Sequence, residues 1–347
     1  MFKIQTSAKR FDANKVNIIE NGRYPYVVRT SSNNGQKGFL DENESFLNAE
    51  NTISFGQDTA TIFYQEKPYF TGDKIKVLVP KVYKFNKKNA QFFLASMNIA
   101  FSKFSWGSSR FNVDVLKEQV IMLPTKCDSI DFEFMESFIE ELEAERIEEL
   151  EAYLSVSGLK DTQLTADELS ALDKFNSIKW KKFNLETLFG KSTRGKRLKG
   201  DDRIGGNLPF VTAGETDEGI SAFISNDVEI FSSNTTTIDM FGSAKYRNYN
   251  YGADDHIAVV HTENLSKYAA IFVTSACHKS AHNGDFSYSR NFYAKDADKL
   301  YISLPVKNEQ PDYELMSTLI SAIQKLVIAD VVKFSDEKIK ATKQVVG

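Results

Sequence analysis

The sequence predicts a mixed α/β fold in which two pseudo-repeated, β-rich domains are each followed by a long helix. Three observations carry this prediction. Blocks of the first half return in the second half, short β-branched and aromatic runs lie between polar turns, and each half ends in an amphipathic segment. We expect the two long helices to pair as an antiparallel coiled coil that separates the domains.

The clearest repeat joins Pro124 to Pro305. In both copies an Asp-aromatic-Glu-x-Met block begins seven residues after the proline, at an offset of 181 positions. Other matched blocks are Lys9-Arg10 with Lys196-Arg197, 25–35 with 209–219, 59–62 with 235–238, 73–77 with 255–259 and 109–110 with 289–290. A copy of about 155 residues exceeds the period of a solenoid unit, roughly 20–50 residues, and matches a whole domain.

Strands are expected in short runs rich in Val, Ile, Phe and Tyr that are bounded by Gly, Asn, Asp and Pro. These runs are 24–28, 74–79, 120–123, 208–212, 256–261 and 300–304. After each shared proline the apolar period changes from strand-like to helical. Each copy is therefore expected to form a β-rich domain that leads into a helix.

The helical segments begin after Asp131 and Asp312, which are both expected to be N-caps. From Asp131 to Leu154 the apolar spacing predicts about seven turns. The residues expected to pack the helix pair or a partner are Met135, Phe138, Leu142, Leu150, Met316, Leu319, Ile323 and Leu326. In the alternative arrangement, each helix covers its own sheet.

The connector between the copies also carries helix signals. Ser157-Gly158 is expected to end the first long helix, and Thr165-Ala-Asp-Glu168 forms a capping box that opens a short helix to Phe175. The expected limits are 1–130 for the first β-rich domain, 131–178 for its helix and the connector, 179–311 for the second domain and 312–347 for the second helix.

Charge is distributed unevenly along the chain. Residues 1–125 hold 17 Lys or Arg against 11 Asp or Glu, whereas residues 126–178 hold 4 against 15. A further basic cluster covers 191–203, and basic clusters can bind phosphate. A solvated charged face is the alternative. Without a membrane-length apolar run, a signal-like N-terminus or a disulfide framework, the chain is expected in the cytoplasm, with no membrane partner.

Enzymatic signatures are sparse in this sequence. No Asn/Asp-Pro-Pro-Phe/Tyr element for a flipped adenine is present, and neither are the glycine-rich loops that bind nucleotides. Cys277, His278 and His282 offer thiolate and imidazole for a zinc site or a Cys/His hydrolase. The zinc site would need a further ligand, so we expect neither a metal nor a catalytic residue.

The second copy carries blocks with a family resemblance. It opens with Trp180-Lys-Lys-Phe-Asn-Leu-Glu-Thr-Leu-Phe189, continues with Leu208-Pro-Phe-Val-Thr-Ala213 leading to Gly219-Ile220, and closes on an Ile-x-Leu-Pro strand at Pro305. With the two-domain layout, these blocks resemble the DNA specificity subunit of type I restriction–modification systems and its compact type IIB relatives.

The resemblance implies two target recognition domains, each reading one half of a bipartite, asymmetric site in double-stranded DNA. The helices would set the half-site distance and recruit DNA methyltransferase subunits and a nuclease or translocase subunit. The chain itself would be non-catalytic and without a cofactor. S-adenosylmethionine, Mg and ATP would bind only to the partner subunits.

Reading a base pair requires fixed donors and acceptors in the major groove, while Lys and Arg bind phosphates. The candidate DNA-binding residues therefore lie in loops: Lys9, Arg10, Arg29, Ser31, Asn33, Asn34, Lys103, Trp106, Arg110, Arg194, Lys196, Arg197, Lys199, Lys245, Arg247, Lys279, His282, Asn283, Tyr288 and Arg290. Arg110 and Arg290 stand out because an aromatic-Ser-Arg neighbourhood recurs there, although such a repeat could also hold a loop to the sheet. A tandem-domain protein-interaction scaffold is the alternative function.

Overall fold

A computed structural model describes residues 1–102 and 113–346, with side chains described as far as Ala341. The chain divides into two compact units, Met1–Leu150 and Glu151–Gly347. The unit boundary falls within the first long helix, whereas the sequence predicts the boundary between domain and helix at 130–131. The four predicted domain limits stay a prediction.

The first unit is built on two four-stranded sheets. One is antiparallel in the order β1-β8-β5-β6, and the other is mixed in the order β2-β7-β3-β4. Its strands are β1 (Phe2–Thr6), β2 (Arg10–Phe11), β3 (Tyr24–Val27), β4 (Gln36–Leu40), β5 (Thr52–Gly56), β6 (Ile62–Gln65), β7 (Phe70–Gly72), β8 (Ile75–Pro80), β9 (Thr125–Lys126) and β10 (Ser129–Ile130). Its helices are α1 (Lys87–Phe101), α2 (Val113–Lys117) and α3 (Phe132–Val156).

The second unit repeats this plan. An antiparallel sheet has the order β12-β18-β15-β16, and a second sheet has the order β14-β13-β17. Its strands are β11 (Trp180–Asn184), β12 (Thr193–Arg194), β13 (Gly205–Val211), β14 (Ile220–Ile224), β15 (Thr235–Asp239), β16 (Ala244–Arg247), β17 (Gly252–Ala253), β18 (Ile257–Val260), β19 (Tyr301–Lys307) and β20 (Gln310–Pro311). Its helices are α4 (Ala166–Asp173), α5 (Leu185–Phe189), α6 (Lys267–Ala281), α7 (Ala294–Asp298) and α8 (Tyr313–Val346).

The repeat extends to buried side chains. In the first unit the Tyr69 hydroxyl lies 3.1 Å from Thr52 Oγ1, and in the second the Tyr251 hydroxyl lies 2.9 Å from Thr235 Oγ1. Both tyrosines are fully buried, and burial raises the pKa of each phenol. Strands β5 and β15 are thus equivalent, so the sequence match of 59–62 with 235–238 is wrong, because 59–62 leads into β6.

The junction between sheet and long helix is also repeated. Each shared proline leads into a two-residue turn with both central residues left-handed, Cys127-Asp128 in one copy and Asn308-Glu309 in the other. The carboxylates of Asp131 and Asp312 then accept hydrogen bonds of 3.0 Å from the backbone nitrogens three residues on. The two predicted N-caps are confirmed, and the same local geometry begins both helices.

Each long helix begins by completing the core of its own unit. Met135 joins the first unit's core, where Phe138 lies edge-on to Phe92 of α1 with ring centroids 5.6 Å apart. Met316 joins the second unit's core. Leu319 is also buried, whereas Ile323 and Leu326 further along α8 are exposed, as is Leu142 on α3. This favours the arrangement in which the helices cover their own domains, at least over their first turns.

Helix α8 packs within its unit against α6 and α4. The last turn of α3, which belongs to this unit, reaches α8 where Ser335 Oγ donates to Glu151 Oε2 at 3.3 Å. Pairing of the two long helices along their length, with Leu150 as a contact, stays a prediction. In the described part of the chain, α8 is also the one helix long and apolar enough to cross a membrane by length and composition, although a core helix can meet the same test.

The remaining local predictions concern the strand runs and the capping box in the connector. Five of the six expected strand runs form strands, but 120–123 is irregular, and Val120 and Met122 are exposed there. Ile121 and Leu123 are partly buried against the first unit's core, so what the run lacks in the described chain is a neighbouring strand to pair with, which composition alone cannot supply. The capping box is confirmed, since Thr165 and Glu168 exchange hydrogen bonds of 2.8 and 3.2 Å at the start of α4.

Candidate nucleic-acid interface

The three candidate cations of the first unit that lie in the described residues are each paired with a carboxylate. Lys9 lies 3.7 Å from Glu42, and Arg10 beside β2 lies 3.2 Å from Asp73. Arg29, in the loop after β3, lies 2.5 Å from Asp58. The ammonium of Lys9 also sits 4.5 Å from the ring centroid of Phe11. Much of this positive charge is therefore locally compensated before any ligand approaches.

The same loop carries the amide side chains. Asn33 and Asn34 both have left-handed backbone conformations, with φ of 49° and 54°, which asparagine tolerates better than most residues. Asn34 Nδ2 donates to the Tyr64 carbonyl at 3.0 Å, so this amide ties the loop to β6. Ser31 is exposed beside it. The candidates Lys103, Trp106 and Arg110 lie outside the described residues.

The second unit presents a cationic strand end. Arg194 ends β12, and Lys196, Arg197 and Lys199 follow it, all exposed. Among the described residues none of these four cations has a carboxylate within 4 Å. Gly195 lets this segment lie against the sheet, because a side chain there would collide with the Ala253 carbonyl.

A hairpin turn beside the end of α6 carries the aromatic candidates. Tyr288 is 86% exposed, and its ring stands edge-on to Phe241 at 5.1 Å. The Arg290 guanidinium lies 5.3 Å from the ring centroid of Phe286, which holds the arginine at the surface. His282 lies 3.2 Å from the Phe241 carbonyl through Nδ1. The recurring aromatic-Ser-Arg motif is thus a surface turn in this unit.

Asn283 and Lys279 are the other two candidates at this end of α6. Asn283 is held by Asp285, whose carboxylate accepts from its Nδ2 at 2.8 Å. Lys279 is exposed on the last turn of α6.

Two other candidates face inward. Arg247 is 1% exposed and donates 2.9 Å hydrogen bonds to Thr237 Oγ1, the Glu218 carbonyl and the Tyr249 hydroxyl. Lys245 is 15% exposed at its side chain and bonds to Ser243 and Glu215. Hydrogen bonds from Ser243 and Lys245 lower the pKa of Glu215. These two residues hold loops to the sheet, so the structure gives them a structural role instead of the expected DNA contact.

The structure brings the candidate Arg194 together with two candidates of the hairpin turn, Tyr288 and Arg290, on one concave surface. A concavity of 380 Å³ is lined by Tyr288, Arg290 and Asn291, and an adjoining one of 440 Å³ by Arg194. Tyr293 and Lys295 line both. We call this surface the β12–α7 cleft. Sequence reasoning missed Tyr293 and Lys295, whose only signal is that they follow the hairpin closely.

A metal or nucleophilic site at Cys277 lacks support from the geometry. Cys277 is fully buried, and burial raises the pKa of its thiol to about 12, so the group is protonated at neutral pH. His278 Nδ1 accepts a 3.2 Å hydrogen bond from the Ala244 backbone, and its ring stacks on His282. In a different group, the possible ligand atoms of Asp254, Asp255 and His256 lie within 4.8 Å of one another, and all three residues are partly exposed.

A known family model matches each copy of the internal repeat separately. Residues 1–152 and 177–333 each match the family model described as the Type I restriction modification DNA specificity domain. The specificity subunit S.BcgI of the Type II restriction enzyme BgcI, from Heyndrickxia coagulans, is 26% identical over 328 residues, which cover 92% of this chain and 91% of that protein. The crystal structure of a Type-I restriction-modification S subunit from M. genitalium has a TM-score of 0.61 at 16% identity and covers 99% of this chain and 91% of that one. At that identity the likeness shows a shared fold.

Proposed function

We propose, on the premise that this chain belongs to the family of type I restriction–modification DNA specificity domains, that its two domains read the two halves of one asymmetric bipartite DNA site. The chain is a specificity subunit that recognises DNA sequence. Each half-site would be contacted by the loops at the surface of one domain. The order of the half-sites would follow the order of the domains.

The observation that carries this proposal is a repeated scaffold with different surfaces. The strand order and the Tyr-Thr hydrogen bond are the same in the two units. The first unit offers the amides of Asn33 and Asn34 and cations paired with carboxylates, whereas the second unit carries the β12–α7 cleft, whose cations have no carboxylate within 4 Å among the described residues. Two surfaces of unlike chemistry on one scaffold suit two unlike half-sites.

The two long helices would fix the distance between the half-sites and dock DNA methyltransferase subunits. The exposed apolar residues Leu142, Ile323 and Leu326 supply apolar surface for such contacts. We assign no catalytic residue and no cofactor to this chain. S-adenosylmethionine, Mg and ATP would be bound by the methyltransferase and by a nuclease or translocase subunit, in the cytoplasm where the DNA lies.

Modified-base sequencing of a host genome with and without this gene tests the proposal. We expect methyladenine to disappear from one split motif with a fixed gap when the gene is deleted and to return on complementation. A methylome that does not depend on the gene in cells where the methyltransferase is active would overturn the proposal. A tandem-domain interaction scaffold would then be the better account.

A further inference from the structure

The β12–α7 cleft in the second unit gathers three cations around two tyrosine rings. Arg194 comes from the end of β12, while Arg290 in the hairpin turn and Lys295 on α7 belong to one stretch of sequence about 100 residues further on, so two distant segments meet there. Tyr293 and Lys295 line both concavities, which makes the surface continuous. Three exposed cations on one surface create a positive potential there, so binding of an anionic counter-charge is favourable.

The counter-charge is not supplied within the described chain. None of the three cations has a carboxylate within 4 Å among residues 1–102 and 113–341. The acidic residue that lines the cleft, Asp296, accepts a 2.9 Å hydrogen bond from the Tyr293 backbone, and this bond caps α7. One carboxylate against three cations leaves a net positive cleft. Such a surface suits an anionic ligand.

The chemistry of the walls indicates which anion. Arg290 and Lys295 each lie over an aromatic ring, at 5.3 Å from Phe286 and 5.6 Å from Tyr293. The Tyr288 ring is almost fully exposed and offers a flat face to a sugar or base. In duplex DNA the bases are already stacked inside the double helix, so the cations are the groups that hold the backbone, through charge-assisted hydrogen bonds to phosphate.

Arg110, the repeat counterpart of Arg290, lies outside the described residues, so the two units are compared at the cations beside β2 and β12. Lys9 and Arg10 match Lys196 and Arg197 in the repeat, but the first pair is held by Glu42 and Asp73, at 3.7 and 3.2 Å. A cation that already has a carboxylate partner must give up that interaction when it binds a phosphate. Its contribution to salt-dependent binding is therefore smaller.

We propose that the β12–α7 cleft is a phosphodiester-binding site and that its three cations contribute more to the salt-dependent affinity for DNA than the paired cations Lys9, Arg10 and Arg29 of the first domain. This inference rests on the proposed function and adds an asymmetry to it. Composition alone would assign the larger electrostatic contribution to the first domain, because the residues before 126 are the more basic, and this inference reverses that order for these two sets of cations. The three cleft cations anchor the DNA backbone, while Lys9, Arg10 and Arg29 contribute less to electrostatic affinity because each already has a carboxylate partner.

The test compares two triple variants of equal charge change in the full chain with its methyltransferase partner. One is Arg194→Ala, Arg290→Ala and Lys295→Ala, and the matched control is Lys9→Ala, Arg10→Ala and Arg29→Ala. Binding to a duplex with the methylated site and to a scrambled duplex is measured from 50 to 200 mM salt. If each cleft cation neutralises one phosphate, the slope falls by about 2.7, so about 40-fold of the affinity change over that range disappears.

The cleft variant is expected to lose this salt dependence on both duplexes, because phosphate contacts are independent of sequence, and to keep the same methylated motif. The first-domain variant is expected to change the slope by about 1 or less. Equal slope changes in the two variants would overturn the inference, as would a loss confined to the specific duplex. Circular dichroism checks folding, and Lys299→Ala, four residues from Lys295, replaces a cation outside the cleft as a further control. Failure of the unaltered complex to distinguish the duplexes would instead count against the proposed function.

Discussion

A buried ion pair holds the connector helix to the second long helix. Glu168 on α4 is 6% exposed at its side chain and accepts 2.6 Å from Ser321 Oγ and 3.2 Å from Lys325 Nζ, both on α8. Lys325 is itself 14% exposed and also lies 3.2 Å from Asp161. Burial opposes its charge, but the two carboxylates outweigh that effect and raise the pKa of Lys325.

Replacing Glu168 by Gln removes the charge while keeping the volume. In this variant the Lys325 ammonium keeps its ion pair with Asp161 and its 2.8 Å hydrogen bond to the Gln163 carbonyl. The loss of folding stability is therefore smaller than for breaking an isolated buried ion pair. We expect about 2 kcal/mol of lost stability at pH 7, the range for hydrogen bonds to charged groups. For a unit of this size that corresponds to about 4 °C in Tm.

The effect also has a predictable pH dependence. Hydrogen bonds from Ser321 and the Thr165 backbone, followed by Lys325, lower the pKa of Glu168 to about 2. The carboxylate therefore stabilises the fold fully above its unfolded pKa of about 4.3, and this stabilisation is lost as the pH falls toward 2. The difference in free energy of unfolding between the Glu168→Gln variant and the unaltered chain should therefore become smaller as the pH falls from about 4.3 toward 2.

Thermal and urea unfolding followed by circular dichroism at pH 7 and at pH values below 4 measures both effects. Asp167→Asn, at the neighbouring exposed position in the same turn, is the matched control and should change stability by less than about 0.5 kcal/mol. Equal stabilities for the two variants at pH 7 would refute the reasoning. So would a Glu168→Gln deficit that does not shrink on acidification.

Three further predictions concern the second unit and the turns. Tyr251→Phe should cost about 1 kcal/mol in urea unfolding, because Thr235 Oγ1 loses the buried 2.9 Å hydrogen bond but keeps the one to the Ser232 carbonyl; an unchanged midpoint would contradict this. Glu309→Gly should raise stability by about 0.5–1 kcal/mol, because residue 309 has φ of 64° and a glycine carries no penalty there; a lower Tm would argue against it. A thiol reagent at pH 8 should modify exposed Cys127 in the native chain and spare Cys277, which reacts only after denaturation; two reactive native thiols would disprove this burial.

Local signals in the sequence predict much of the fold because they act over a few residues. The N-caps Asp131 and Asp312 and the Thr165 capping box are side-chain-to-backbone bonds within four residues, and all form. The duplication is equally legible, since the Pro124 and Pro305 blocks keep their spacing. The run 120–123 failed because its composition is strand-like, yet no neighbouring strand pairs with it in the described chain.

The site is harder to predict from the sequence, because the burial of a side chain and its ion pairs depend on the tertiary structure. Arg247 and Arg290 are both arginines after aromatic-rich strands or turns, but one is interior and the other exposed. Lys9 carries the same charge as Lys196, and only the fold shows that Glu42 lies beside the first. Lys295 was missed because the cleft that includes it forms only when residues 288–296 meet the distant Arg194 in the fold.

Domain exchange tests the central claim most directly. Residues 179–311 would be replaced by the corresponding domain of a relative with a different methylated motif, and the host genome would be sequenced for methyladenine. We expect one half of the split motif to change to the relative's half, while the other half and the gap stay as they were. Simultaneous change of both halves, or continued methylation of the original motif, would contradict the assignment of one half-site to each domain.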